Sequence, residues 1–94
     1  MKHIISRLAL KELEDARVYY NLEKEGLGEE FKAYVHNEVD IVFTSPYLYP
    51  VIIEPVHRKV LNTFPYNIFY RVDNKAIVIL SISHQRKKPI YTQT

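Results

Sequence analysis

The chain has 94 residues, of which 47% are hydrophobic and 26% are charged, and this balance excludes an intrinsically disordered protein. Its length predicts a single domain over residues 1–94. The absence of cysteine excludes disulfides, thiolate metal sites and a cysteine nucleophile. It also fits a reducing compartment, so we expect a cytoplasmic protein.

The net charge of +2 is unevenly distributed along the chain. Residues 1–47 contain six Lys or Arg against nine Asp or Glu, whereas residues 48–94 contain seven against two. The second half therefore predicts a basic face, which would attract a polyanion or an acidic partner. The alternative is an ordinary solvated surface. No apolar run approaches the roughly 18 residues that a membrane span needs, and the charged N-terminal stretch is not typical of a signal peptide, so we expect no membrane contact.

The first half of the chain predicts a strand followed by two helices. Residues 2–6 are typical of a short strand, and Ser6 is a partial helix cap. Apolar residues then recur at helical spacing over residues 8–24 and 29–43. Between these runs, Gly26 can adopt the left-handed conformation that ends a helix, which predicts an antiparallel helix hairpin.

After Pro50 the apolar spacing becomes alternating, which predicts three strands over residues 56–61, 66–72 and 75–84. Asp73 and Asn74 form a two-residue turn between the last two strands, so the three make an antiparallel meander. The first strand of the chain would pair at an edge or beside the last strand. The predicted fold is therefore α+β in the order β-α-α-β-β-β, with the helix hairpin packed on one face of a small twisted antiparallel sheet.

These phases predict a set of largely buried residues. It consists of Leu13, Ala16, Tyr20, Phe31, Val35, Val39, Ile68, Tyr70, Val78 and Leu80.

The most apolar strand ends in a basic cluster of His84, Arg86, Lys87 and Lys88. In an antiparallel meander this end lies near residues 61–66. Two interpretations compete: a functional site, or a structural histidine followed by a solvated tail. The other three histidines show no ligand spacing, so we expect no metal site and no cofactor.

The element order and several segments resemble the RelE/ParE superfamily of toxins from type II toxin–antitoxin modules, the plasmid-stabilisation type. The segments are "LEDA", "GLGEEF", "RKVLNTFPYNIFYRV" and "HQRKKP", and the resemblance spans about residues 4–89. Its most specific parts are Phe64-Pro65-Tyr66 with Tyr70, and the terminal His84, Arg86 and Pro89. It implies a toxin that a cognate antitoxin neutralises; the eight tyrosines suit such an interface. One branch of the superfamily cleaves mRNA on the ribosome, and another poisons DNA gyrase.

The nuclease branch implies RNA binding and an endoribonuclease without a metal. His84 would transfer protons and Arg86 would stabilise the phosphorane, so these two are the candidate catalytic residues. The candidate substrate-binding residues are Arg58, Lys59, Arg71, Lys87, Lys88 and Tyr91, the last by stacking on a base. Glu54 is the only local candidate for an acidic general base. The alternatives are a non-catalytic inhibitor of DNA gyrase and a binding module without toxicity.

Overall fold

A computed structural model describes residues 1–87 of the protein. Two helices and five strands follow one another along the chain. They are β1 (Lys2–Ile5), α1 (Arg7–Glu23), α2 (Leu27–Thr44), β2 (Val51–Ile53), β3 (Val56–Val60), β4 (Tyr66–Val72) and β5 (Ala76–His84). The strands form one sheet in the order β1-β5-β4-β3-β2. The helix hairpin packs on one face of this sheet, which confirms the predicted α+β fold. Neither of the two described helices is long and apolar enough to cross a membrane.

The sheet differs from the prediction in two respects. First, β1 lies beside β5, one of the two predicted positions, but it runs parallel to it, so the sheet is mixed rather than antiparallel. Second, β2 is an additional three-residue strand that pairs antiparallel with β3 at the other edge. Pro55 follows it, and because proline is tolerated at an edge but not in a central strand, this position is compatible with the sequence.

Ser6 joins the start of α1 to β5. Its Oγ accepts a hydrogen bond from the backbone N–H of Ala9 at 3.0 Å, which is the bond expected of a helix N-cap. The same hydroxyl donates to the carbonyl oxygen of Leu80 at 2.9 Å, and the Ser6 N–H donates to the carbonyl oxygen of Ile79 at 2.9 Å. The cap therefore anchors the helix on the sheet as well as starting it.

The core lies between the helix hairpin and the sheet, and eight of the ten residues predicted to be buried are buried. The two exceptions, Tyr20 and Leu80, are half-buried. Tyr20 belongs to an aromatic group at the edge of the core, with its ring 5.1 Å from those of Phe31 and Phe64. Leu80 lies at a β-bulge, where Phe69 pairs with Ser81 but Tyr70 pairs with Ile79.

The bulge explains why simple alternation misassigns Leu80. One extra residue in a strand shifts the phase of every later side chain. Ile79 and Ile82, which are three positions apart, consequently both pack in the core. The core-facing residues are therefore the odd-numbered Ile77 and Ile79 before the bulge and the even-numbered Ile82 after it, and Leu80 lies at the bulge itself.

The two glycines of the helix connection serve different purposes. Gly26 has φ of 86°, the left-handed conformation predicted for the end of the first helix. Gly28 lies where α2 approaches α1 closely: a Cβ atom there would be 2.1 Å from the carbonyl oxygen of Arg17. Its N–H donates to Oδ1 of Asn21 at 2.8 Å. The hairpin thus depends on a residue without a side chain at position 28.

We expect Gly28→Ala to lower the free energy of unfolding by about 3 kcal/mol, because the new methyl group would force the two helices apart. Gly26→Ala is the matched control. It meets no atom within 4 Å and carries only the strain of its positive φ, about 1 kcal/mol. Urea unfolding of both variants measures the difference. Equal losses would show that the helices do not approach as closely as described.

Tyr70 connects the sheet to the segment after α2. Its hydroxyl donates to the carbonyl oxygen of Pro46 at 2.6 Å, and its ring stacks on His57 at 4.9 Å. Burial raises the pKa of Tyr70 to about 12, and burial likewise raises the pKa of Tyr66 to about 12. The two tyrosine hydroxyls are therefore compatible with the folded state in their protonated form, and their ionisation lowers its stability.

We expect Tyr70→Phe to cost about 1 kcal/mol of stability at neutral pH through the lost hydrogen bond. Because the pKa in the folded state exceeds the value of about 10 in an unfolded chain, the contribution of this tyrosine is complete below pH ~10 and lost as the pH rises through ~12. The variant should therefore lose less stability than the parent over this range. Tyr47→Phe, at an exposed site, should behave as the parent does in urea unfolding at each pH. Identical alkaline loss in Tyr70→Phe and the parent would contradict the assignment.

Candidate functional site

A cavity of about 240 Å³ lies where α1 passes the end of β5. It exists because β1 is shorter than β5. The pairing of the two strands ends at Ile5 and Ile79, and among residues 1–87 no strand continues it beside the rest of β5. The cavity is lined by Glu12, Asp15, Ala16, Tyr19, Tyr66, Ile82, Ser83, His84 and Lys87.

Glu12 occupies the place beside β5 that a further strand residue would take. Its Oε1 accepts hydrogen bonds from the Ile82 N–H at 2.9 Å and from Ser81 Oγ at 2.8 Å. Its Oε2 accepts one from Ser83 Oγ at 3.2 Å. Only 12% of the side chain is exposed, and among the described residues the ammonium of Lys87 is its ion-pair partner at 3.8 Å. A helix side chain therefore satisfies the free edge of a central strand.

His84 lies on the helix side of the sheet, beside this cavity. It pairs across the sheet with Tyr66, and the two rings meet edge to face at 5.3 Å. Its Nδ1 accepts a hydrogen bond from the Arg86 N–H at 3.1 Å, which requires the neutral ring with its proton on Nε2. The Gln85 side chain donates to the carbonyl oxygen of Leu61 at 2.9 Å. The end of β5 thus lies beside residues 61–66, where the meander predicts it.

The predicted phosphate-binding arginines lie on the opposite side of the sheet. Arg58 in β3 pairs with Phe69 in β4, so these two side chains lie on the same face of the sheet. Arg71 is two residues after Phe69 in β4 and therefore lies on that face as well. His84 pairs with Tyr66, which lies on the other face. In addition, Arg71 is ion-paired with Asp73 at 3.3 Å. The sheet therefore separates these arginines from the histidine.

Lys59 points into the protein. Its ammonium is 3.4 Å from Oε1 of Glu38 and 4.7 Å from the centre of the Tyr49 ring, and only 6% of the side chain is exposed. A buried ion pair of this kind is costly to break, since either partner alone would be left as an uncompensated charge. This environment favours a structural role for Lys59 over phosphate binding.

The remaining predicted residues are divided. Arg86 and Lys87 are exposed in the turn that follows β5, and Lys87 lines the cavity. Lys88 and Tyr91 lie outside the described residues. Glu54 is exposed in the connection between β2 and β3, at the far edge of the sheet from β5, so the structure does not bring it to His84.

The carboxylate near His84 is Glu12, which sequence reasoning missed. The helical spacing of α1 places Glu12 off the core-facing side, so the sequence predicts that it faces solvent. The available signal was in the strand: Ser81 and Ser83 place two hydroxyls on one side of an otherwise apolar segment, and buried hydroxyls need a polar partner.

The family assignment agrees with this architecture. A family model described as the ParE toxin of the type II toxin–antitoxin system parDE matches residues 4–89. The chain belongs to this toxin family. Among curated protein sequences, none matches the toxin.

Two solved structures share the fold of the toxin. One is a chain of the chromosomal ParDE toxin–antitoxin system from P. aeruginosa, with a TM-score of 0.69 and 22% sequence identity, covering 89% of the toxin and 95% of that chain. The other is the isolated E. coli RelE toxin, with a TM-score of 0.67 and 16% identity, covering 96% of the toxin and 89% of that chain.

The charges of the cavity determine which chemistry it suits. Glu12 and Asp15 carry negative charge, and their partners Lys87 and Lys11 carry positive charge. Asp15 is closely ion-paired with Lys11 at 2.7 Å, whereas Lys87 is 3.8 Å from Glu12, so the largely buried carboxylate of Glu12 is the group that would repel a phosphate and attract a cationic group.

We expect Glu12→Ala to destabilise the toxin by about 3 kcal/mol, because it leaves without an acceptor the Ile82 N–H and one of the hydroxyls of Ser81 and Ser83, which also hydrogen-bond to each other. Asp15→Ala is the control: its carboxylate is exposed and ion-paired with Lys11 on the same helix, so the loss should stay within about 0.5 kcal/mol. Urea unfolding measures both. An unfolding midpoint of Glu12→Ala equal to that of the parent would contradict the structural role of the carboxylate.

Proposed function

We propose that this toxin inhibits growth by binding a protein target, as in the branch that poisons DNA gyrase, and that it does not cleave RNA. The observation that supports the proposal is the separation of His84 from Arg58 and Arg71, two of the cations that were expected to hold the phosphate. RNA cleavage needs a base, an acid and cations within hydrogen-bond reach of one phosphodiester.

Three features of the structure together support this choice, the first of which is that separation. Arg58 and Arg71 share the sheet face opposite His84. Lys59 is buried and neutralised by Glu38. The cavity beside His84 contains the largely buried carboxylate of Glu12, which opposes the approach of a polyanion. Together they leave Arg86 and Lys87 as the predicted cations in the described chain that lie near the histidine.

The endoribonuclease is the second candidate, and one observation favours it. His84 and Glu12 line the same cavity, and a histidine next to a carboxylate is a common acid–base pair. Arg86 follows two residues after the histidine. Against it, three of the roughly four acceptor positions of the Glu12 carboxylate are engaged by Ile82, Ser81 and Ser83, so this carboxylate already serves to hold β5 in place.

The toxin also requires an antitoxin, as its family implies. Exposed apolar side chains on α1 and around β2 provide area for such a partner. They include Tyr19, Leu22, Tyr47, Leu48, Val51 and Ile53. The basic face with Arg58 and Arg71 would favour an acidic antitoxin segment.

The proposal predicts that His84→Asn and Arg86→Ala remain toxic. Asparagine can accept the Arg86 N–H but cannot transfer a proton, so this variant removes acid–base chemistry with little change in shape. Induced expression in a bacterial host should cause a DNA-damage response while mRNA stays intact, and the purified toxin should inhibit DNA supercoiling by gyrase. The parent toxin is the reference in each assay.

The opposite results would favour the nuclease. If His84→Asn folds with parental stability but is no longer toxic, and if the parent depletes mRNA without DNA damage, the binding mechanism is wrong.

A further inference from the structure

The Glu12 carboxylate in the cavity can accept more hydrogen bonds than it receives from the described residues. A carboxylate has about four acceptor positions. In Glu12, two on Oε1 are filled by Ile82 and Ser81, and one on Oε2 is filled by Ser83. The ammonium of Lys87 is 3.8 Å from Oε2, which is beyond hydrogen-bond distance. Among residues 1–87, one acceptor position of this largely buried carboxylate therefore has no hydrogen-bond donor.

Lys87 is a weak occupant of this position. Its side chain is 59% exposed, so it remains hydrated while it neutralises part of the charge of Glu12. Ion pairs with one exposed partner contribute little to stability and lose side-chain entropy when they form. A second cation with better geometry can therefore displace it at small cost.

The walls of the cavity suit an arginine. The rings of Tyr19 and Tyr66 flank it, and Ala16 and Ile82 supply apolar surface for an alkyl stem. A planar guanidinium can stack on an aromatic face while one of its N–H groups reaches a single carboxylate oxygen, whereas an ammonium group has no plane to stack. The volume of about 240 Å³ lies below the range of sites for drug-sized ligands, so it fits a side chain rather than a cofactor.

The surface around the cavity indicates that the arginine comes from a protein. Tyr19 is exposed at the rim, and Val18 and Leu22 continue this exposed apolar surface along α1, Leu22 with 83% of its area accessible. Asp15 adds a second carboxylate at the rim. An apolar strip next to an acidic cavity complements a segment that carries one arginine flanked by an apolar residue.

We propose that this cavity is the receptor for an arginine side chain of a protein partner, which displaces Lys87 and binds Oε2 of Glu12. Binding of an arginine in this cavity does not depend on whether the toxin acts on gyrase or on RNA, because it involves no chemical reaction. Glu12 would then bind the arginine of the partner in addition to accepting hydrogen bonds from β5.

The test uses Nα-acetyl-arginine methylamide as the probe and the purified toxin, followed by NMR. The backbone amide signals of Ser83, His84 and Lys87 should shift and saturate with a dissociation constant on the order of 1 mM, as expected for a ligand of this size. Nα-acetyl-citrulline methylamide, a neutral analogue of similar shape, should bind at least about tenfold more weakly, since it lacks the charge.

Two variants at exposed sites test the displacement without endangering the fold. Lys87→Met removes the competing ammonium and should tighten binding of the arginine probe about threefold. Asp15→Asn removes charge at the rim and should weaken it by a similar factor. Both should keep the parental unfolding midpoint.

Three results would overturn the proposal. They are the absence of saturable shifts at Ser83, His84 and Lys87, equal binding of the citrulline and arginine probes, and weaker binding by Lys87→Met. None of these bears on the toxicity assays, so failure here is distinguishable from failure of the proposed target.

Discussion

The architecture of this toxin depends on how the free edge of β5 is closed. β5 is the longest strand and lies next to the sheet edge, but β1 covers only its first half. Unpaired backbone groups in a buried strand are costly. Ser6 and Glu12 replace the missing strand: the serine binds the carbonyl oxygens of Ile79 and Leu80, and the glutamate binds the N–H of Ile82.

This arrangement also fixes the position of α1. Ser6 caps the helix and Glu12 lies in its second turn, so one helical segment contacts the strand at two points. The cavity is the space left between the helix and the strand beyond Glu12. Its charge and its aromatic walls therefore follow from the same contacts that hold the helix on the sheet.

The sequence was sufficient for most of the fold. The spacing of apolar residues in α1 and α2, and the alternation in β4, are local patterns that predict each element and its buried side. Local patterns do not reveal the direction in which β1 pairs, since that depends on residues more than 70 positions away. The bulge at Leu80 and the three-residue β2 are likewise too short to have a periodic signal.

The site was less predictable than the fold, for a related reason. The basic cluster was identified correctly as the end of a strand, but the side on which each residue lies depends on strand pairing. His84 and Lys59 point to the helices, whereas Arg58 points away. Glu12 contacts β5 because β1 is shorter than β5. The apolar spacing of a helix gives no information about such a difference in strand length.

The parallel pairing of β1 with β5 also has a kinetic consequence. The hydrogen bond from Ser6 to Leu80 spans 74 positions, nearly the whole chain. Closing so long a loop carries a large entropic cost, which is offset only once the intervening hairpins have formed. The N-terminal strand should therefore dock after the meander and the helix hairpin. During synthesis on the ribosome β1 must wait for β5 to emerge, so the toxin can complete its sheet only after all the elements between them have been synthesised.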